Sequence, residues 1–191
     1  MVELVNALLN ISRIELGTFM IEPEQTDIVK ITESILDEVK KKIKSKNLKI
    51  VRGYSAKMPI SADTKLLRII IQNIITNAVK YTPSGGTISI KLQKQSSNYQ
   101  ITIADTGYGI PQKQQNKIFS KLFRADNIRE METDGTGLGL YIVKRIVDQA
   151  GGKIWFKSQE NKGTTFFITL PKGGMEKKEG SRGLISEGLL R

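Results

Sequence analysis

The chain has 191 residues with 30 Lys+Arg against 19 Asp+Glu, a net charge of +11, and contains neither cysteine nor histidine. That length, with 39% hydrophobic residues, can bury one sizeable core. Absent cysteines exclude disulfides, thiolate metal sites and cysteine nucleophiles, and absent histidines exclude Ser-His-Asp catalysis, histidine ligands and a phosphohistidine formed on the chain itself.

No apolar run approaches the ~18 residues of a membrane span, and no signal peptide opens the sequence. A soluble intracellular protein is expected, with chemistry carried by carboxylates, amides, cations, hydroxyls or backbone. Residues 2–16 (VELVNALLNISRIEL) set Leu4, Leu8 and Ile11 on one row and Val5, Leu9 and Leu16 on the next. This is a wide apolar stripe at helical spacing that stops at Gly17. The pattern is already running at Met1 without a cap. It reads either as the end of a longer helix whose stripe has a partner, or as a terminal helix folded onto its own domain.

A loop with Pro23 follows, then Asp27 as N-cap of a half-buried helix over 28–46, with Ile28, Ile31, Ile35, Val39 and Ile43 at three- and four-residue steps. Within and beyond it, residues 40–52 (KKKIKSKNLKIVR) carry seven cations and no acid. The patch lacks aromatics for base stacking, and no zinc-finger or RNA-recognition signature accompanies it. It reads as a solvated helix face running into a strand, with attraction to phosphates or an anionic leaflet as a secondary property. No nucleic-acid partner is expected.

Leu48–Val51 reads as a short strand, Ile60 lies in another, and Asp63 caps a helix over 64–81 (TKLLRIIIQNIITNAVKY). Residues 87–92 and 99–104 alternate and predict a hairpin. Pro111 opens a short helix reaching Phe119, and 120–135 reads as a loop. Residues 138–149 are helical up to Gly151-Gly152. Strands 153–157 and 164–170 close the chain around a turn with Asn161 and Gly163. Residues 172–191 hold five glycines, five cations and three acids and are expected to form a disordered tail. The order predicts an α+β, two-layer sandwich in which helices cover one face of a mixed, mostly antiparallel sheet.

Three clusters carry chemistry. The 64–81 helix is apolar almost all round and therefore buried, yet Asn73, Asn77, Lys80 and Tyr81 share one side. Each unpaired buried amide costs on the order of 1–3 kcal/mol. Those groups therefore either cap neighbouring loops or line a polar cavity, an Asn oxygen on a hard cation and Lys80 on an anion. Asp105-Thr106-Gly107-Tyr108-Gly109-Ile110 follows a strand. A carboxylate there can accept from the exocyclic amino group of adenine and would repel the carbonyl of guanine. Tight turns use the same glycines, and the dinucleotide fingerprint fails for want of a third glycine. Gly135-Thr136-Gly137-Leu138-Gly139-Leu140 opens a helix whose backbone N–H groups can face a phosphate; it lacks the GK[ST] ending of a P-loop. The loop before it, with Arg124, Asn127 and Arg129, can act as a lid over the outer phosphates.

In order, these clusters resemble the ATP-binding domain of sensor histidine kinases, within the ATPase group that includes gyrase and Hsp90. NIITNAVKYTP (73–83) is similar to the N box, DTGYGI (105–110) to the first glycine box, KIFSKLFRADN (117–127) to the F box, GTGLGL (135–140) to the second glycine box and GTTFFITLP (163–171) to the closing strand. SRIELG (12–17) resembles the end of the second helix of the dimerisation hairpin. The resemblance implies a Bergerat-type fold, with 1–17 as hairpin end, 18–171 as catalytic domain and 172–191 as tail. It implies Mg²⁺ on Asn77 with Asn73 supporting it, phosphate contacts from Lys80, Tyr81 and Arg124, and adenine on Asp105. Gly107, Gly109 and Ile110 would shape the pocket, and Arg129, Gly135, Thr136, Gly137, Leu138, Gly139 and Thr164 would complete the nucleotide site. Asn73, Lys80 and Arg124 would act in catalysis.

The F box usually carries a second aromatic where Leu122 stands, and the phosphoacceptor helix is expected upstream of Met1. The implied whole is a homodimeric, cytoplasmic kinase domain that binds Mg-ATP, donates the γ-phosphate to a hairpin histidine and so supplies a response regulator. The rivals are a serine-directed kinase of the anti-sigma type, which lacks the hairpin helix that SRIELG resembles, and a non-catalytic ATP-sensing module. A nucleic-acid binder, distinguished by steep salt dependence, is a more distant alternative.

Overall fold

A computed structural model describes residues 19–125 and 136–180. Strand β1 (Glu24–Asp27) leads into helix α1 (Ile28–Glu38) and a short helix α2 (Lys40–Ser45). Strands β2 (Lys49–Gly53) and β3 (Pro59–Ala62), helix α3 (Thr64–Tyr81) and the hairpin β4 (Thr87–Lys94) and β5 (Asn98–Asp105) follow. A 3₁₀ segment at Gln112–Lys117, helix α4 (Gly139–Gln149) and the hairpin β6 (Lys153–Gln159) and β7 (Gly163–Pro171) complete the order.

Five strands form one sheet in the order β2-β4-β5-β7-β6, and β1 pairs with β3 in a separate ribbon. β2 runs parallel to β4, and every other pairing is antiparallel. A parallel pair needs a crossover; here β3 and α3 supply it, which lays α3 on one sheet face. Alternation then decides the rest. Ile88, Ile90 and Leu92 of β4, Tyr99, Ile101 and Ile103 of β5, and Phe166, Ile168 and Leu170 of β7 all point into the core. Leu67, Ile70, Ile71, Ile74 and Ile75 of α3 meet them with no exposed surface. At ~1.5–3 kcal/mol per buried aliphatic side chain, this seam anchors the fold. On the opposite sheet face Trp155 stacks on Phe167, with ring centroids 5.3 Å apart. The α+β two-layer expectation holds.

The caps at Asp27 and Asp63 are as expected: Asp27 accepts from the Val29 N–H, and Asp63 from those of Lys65 and Leu66. Three differences have physical reasons. The helix expected over 28–46 breaks at Val39, which sits near φ −89°, ψ 4° and separates α1 from α2. Second, the stretch around Pro23 contains β1, which no alternation announces because all four of its residues, Glu24 to Asp27, are polar. The third concerns 172–180, expected in a mobile tail. Ile21 and Lys178 exchange a pair of backbone hydrogen bonds of 3.0 Å, and Met175, buried, donates its N–H to the Ser61 carbonyl. One buried methionine and backbone pairing suffice where composition suggests disorder. Residues 1–18, 126–135 and 181–191, with the hairpin end, Asn127, Arg129 and Gly135, lie outside the described residues.

The basic segment divides into distinct roles. None of the α2 residues is buried, so Lys41, Lys42 and Lys44 form the solvated face expected. Arg52 instead makes two hydrogen bonds to Glu33, at 2.8 and 3.2 Å, and Lys46 turns inward to the end of α3. Among the described residues no helix is long and apolar enough to cross a membrane.

Candidate functional site

The last two turns of α3 face the end of β5 and the start of α4. Asn73 donates its amide to the Ile69 carbonyl four residues back at 2.8 Å, which leaves its oxygen pointing outward. Gly139 sits against that oxygen: a Cβ on Gly139 would come within 2.3 Å of Asn73 Oδ1, so any larger residue there would displace the Asn73 amide. Asn77, one turn further on, is half-buried, and its side chain makes no hydrogen bond with another described residue. The Lys80 ammonium lies 5.6 Å from the centroid of the Tyr81 ring.

Asp105 ends β5. Its Oδ1 accepts from the Gly107 N–H at 2.8 Å and from the Thr164 N–H at 3.2 Å. Burial pushes its pKa up to about 6, against the pull of those two N–H donors. This is an acceptor held by backbone, with its second oxygen left for something else. A Cβ at Gly107 would lie 2.4 Å from the Tyr81 carbonyl oxygen, and the Tyr108 N–H donates to that same oxygen at 3.2 Å. The first glycine cluster is thereby seated on the end of α3. Gly109 has φ +65°, outside the usual range of other residues. Its turn lets the Ile110 N–H reach Ser158 Oγ at 2.9 Å.

Ser158 also bonds the Gly163 carbonyl and the Thr164 hydroxyl, at 3.1 and 2.9 Å, and Gln115 donates to the carbonyls of Ile110 and Ser158 at 3.0 and 3.1 Å. The β6–β7 turn thus closes on the β5 loop. On the remaining side, Leu138 is buried, its N–H facing the exposed Thr136 hydroxyl at 3.4 Å. The Gly137 backbone packs against Leu122, where a Cβ would meet the Leu122 carbonyl carbon at 2.7 Å. Leu122 itself is 67% exposed with φ +57°, while Phe123 packs against the core. Arg124 is half-buried at the end of the described loop.

The sequence matches the histidine kinase-, DNA gyrase B- and HSP90-like ATPase family over residues 62–174, more than half of the chain. The chain belongs to that family. Among its relatives is the sensor histidine kinase WalK of Bacillus subtilis (strain 168), 36% identical over 174 residues that make up 90% of this chain and 28% of WalK. The solved catalytic domain of histidine kinase ThkA is 27% identical with a TM-score of 0.69, and the match covers 79% of this chain and 98% of that one. Full-length ShkA, solved in complex with AMPPNP, is 26% identical with a TM-score of 0.76, over 92% of this chain and 36% of that one. The chain spans little more than a quarter of WalK, and what it matches is the ATP-binding catalytic domain of sensor histidine kinases.

Within this ATPase family frame, the residues singled out from sequence converge. Asn73, Asn77, Lys80 and Tyr81 share the end of α3, which contacts the loops of Asp105, Gly107, Gly109 and Ile110, and of Gly137 and Gly139. Thr164 closes the far side. Sequence reasoning missed Ser158, Gln115 and Lys46. Ser158 is one serine in an alternating strand, and nothing in its spacing sets it apart. Among the described residues there is no cluster of three or more His, Asp or Glu that could hold a metal.

Proposed function

We propose that this chain binds Mg-ATP and, in the whole kinase, presents the γ-phosphate to a histidine on a dimerisation hairpin. One observation carries the reading: described residues of the five motifs touch in succession, Gly139 on Asn73, Gly107 on Tyr81, Thr164 on Asp105 and Gly137 on Leu122. Asp105, with one oxygen fixed by two backbone N–H groups, accepts from the adenine amino group. Lys80, Tyr81 and Arg124 serve the phosphates, together with Arg129 and the backbone of Gly135, Gly137 and Gly139.

Mg²⁺ fits the residues present in a limited way. The protein would supply Asn77, an amide oxygen without a partner among the described residues, to an ion that commonly takes phosphate oxygens and water as its other ligands. When bound, the ion neutralises charge on the phosphates; Asn73, hydrogen-bonded to its own helix, keeps the face on which Asn77 stands. Catalysis by this chain is positioning and charge neutralisation.

A response regulator as phosphate acceptor is supported by ThkA, which was also solved in complex with the response regulator protein TrrA. A homodimer and a cytoplasmic location go with that reading. The test offers a purified histidine-bearing hairpin in trans with γ-labelled ATP. Acid-labile phosphate on the hairpin is expected; its persistent absence while the chain binds ATP would favour the non-catalytic sensing module.

A further inference from the structure

We propose that Lys46 is a positioning residue of the nucleotide site, holding the last turn of α3 from behind. The proposal rests on the nucleotide reading above. A helix leaves its last four carbonyls without partners in the helix, and a C-terminal cation satisfies them while offsetting the negative end of the dipole. In α3 each of those carbonyls has a destination. That of Ala78 accepts from the Thr82 N–H and hydroxyl. Those of Val79 and Lys80, and of Thr82 just beyond, accept from the Lys46 ammonium at 3.0, 2.8 and 2.8 Å. That of Tyr81 accepts from the Tyr108 N–H of the adenine loop.

The backbone around Lys46 grips the same turn. Its carbonyl accepts from the Gly85 N–H at 2.8 Å, and the Lys49 N–H donates to the Gly86 carbonyl at 2.9 Å. The α3 exit is therefore bracketed on both sides by residues 46–49. Lys46 acts on that turn through the turn's backbone carbonyls. What it fixes is the turn bearing Lys80 and Tyr81 and, through the Tyr81 carbonyl, the loop that carries Gly107. It also lowers the negative potential of the helix end beside the phosphates.

Because the chain has no cysteine, K46C creates a unique thiol in the full chain, and alkylation with 2-bromoethylamine restores an ammonium at nearly the length of lysine. Mg-ATP affinity is measured by calorimetry. K46C is expected to bind at least tenfold more weakly than wild type. Aminoethylation should bring it within threefold, whereas the neutral adduct of iodoacetamide should not. Ile154→Val, a small core truncation in β6, serves as a stability control and should keep wild-type affinity.

The proposal is overturned if K46C binds within twofold of wild type, if the aminoethylated protein stays weak, or if Ile154→Val loses as much affinity as K46C. Should K46C fail to fold, K46R provides the second reading: it keeps the charge but cannot place one nitrogen among three carbonyls. Threefold or greater weakening is expected of it, and wild-type affinity would sink the idea. A wild-type chain that binds no Mg-ATP overturns the nucleotide reading and this proposal with it. Wild-type binding with an indifferent K46C overturns this proposal alone.

Discussion

The two ends of the proposed nucleotide site, one assigned above to the base and the other to the phosphates, are built by different means. At the base end, Asp105, Gly107, Ile110, Ser158 and Thr164 are joined by hydrogen bonds of 2.8–3.2 Å, most of them to backbone. At the phosphate end stand side chains: Asn77, without a hydrogen-bond partner among the described residues, Lys80 beside the Tyr81 ring, the exposed Thr136 and half-buried Arg124. The contrast teaches where specificity and adaptability sit. A backbone-held acceptor is preorganised and discriminates between bases, because a wrong base leaves a buried group unpaired. Side chains, which can change rotamer where a backbone-held group cannot, are the more adaptable partners for a polyphosphate.

Asp105→Asn strikes the rigid end and should have the largest effect. An amide in place of the carboxylate removes a charged acceptor, so ATP affinity should fall by about 100-fold, near the upper end for hydrogen bonds to charged groups, and the preference over GTP should narrow. An unchanged preference in a competition assay would refute the adenine assignment. At the adaptable end, Asn77→Ala should cost roughly tenfold in affinity with Mg²⁺ present, leaving adenosine binding as in wild type. Metal dependence equal to wild type would place the cation elsewhere.

The smallest effect is a pH dependence. With its pKa near 6, free Asp105 is half protonated at pH 6, so ATP affinity should drop about twofold between pH 8 and pH 6. The decline should be absent in Asp105→Asn, and a flat wild-type profile over that range would show that the carboxylate is not the acceptor. The linkage to stability has the opposite sense. A carboxylate whose folded pKa is raised binds more protons folded than unfolded, so its contribution is fully present below pH 3.8 and is lost as pH rises to about 6. The ionised group therefore costs on the order of 1–3 kcal/mol at neutral pH, a cost the base end carries in exchange for its acceptor. Asp105→Asn should thus weaken nucleotide binding without lowering the thermal midpoint of the free chain.

How much of this was legible in the sequence follows the same division. Periodicity located α3, both hairpins and the buried strands, because each has one apolar face. Asp27 and Asp63 declared themselves as caps because capping chemistry is local, a carboxylate two or three residues before the N–H groups it binds. The candidate site residues stood out as glycines and as polar groups on an apolar helix. Lys46 was not: it stands 33 residues before Val79 and looked like its neighbours in a charged run. Long-range polar contacts leave no spacing signal. Neither did β1, whose partner β3 lies 32 or more residues away across a helix break, nor Met175, a single apolar residue among lysines and glycines.

The pairing of Ile21 with Lys178 gives the domain a mechanical character. Entry and exit of the described chain are fastened to each other, and both fastenings lead to the head of α3. The Glu22 N–H donates to Asp63, the same carboxylate that caps the helix, and Met175 hangs from Ser61 two residues earlier. That cap stands at the opposite end of the buried rod that carries Asn73, Asn77 and Lys80. The two termini of the described chain and the candidate site thus share one helix, the fastenings at its head and the polar groups towards its last residues.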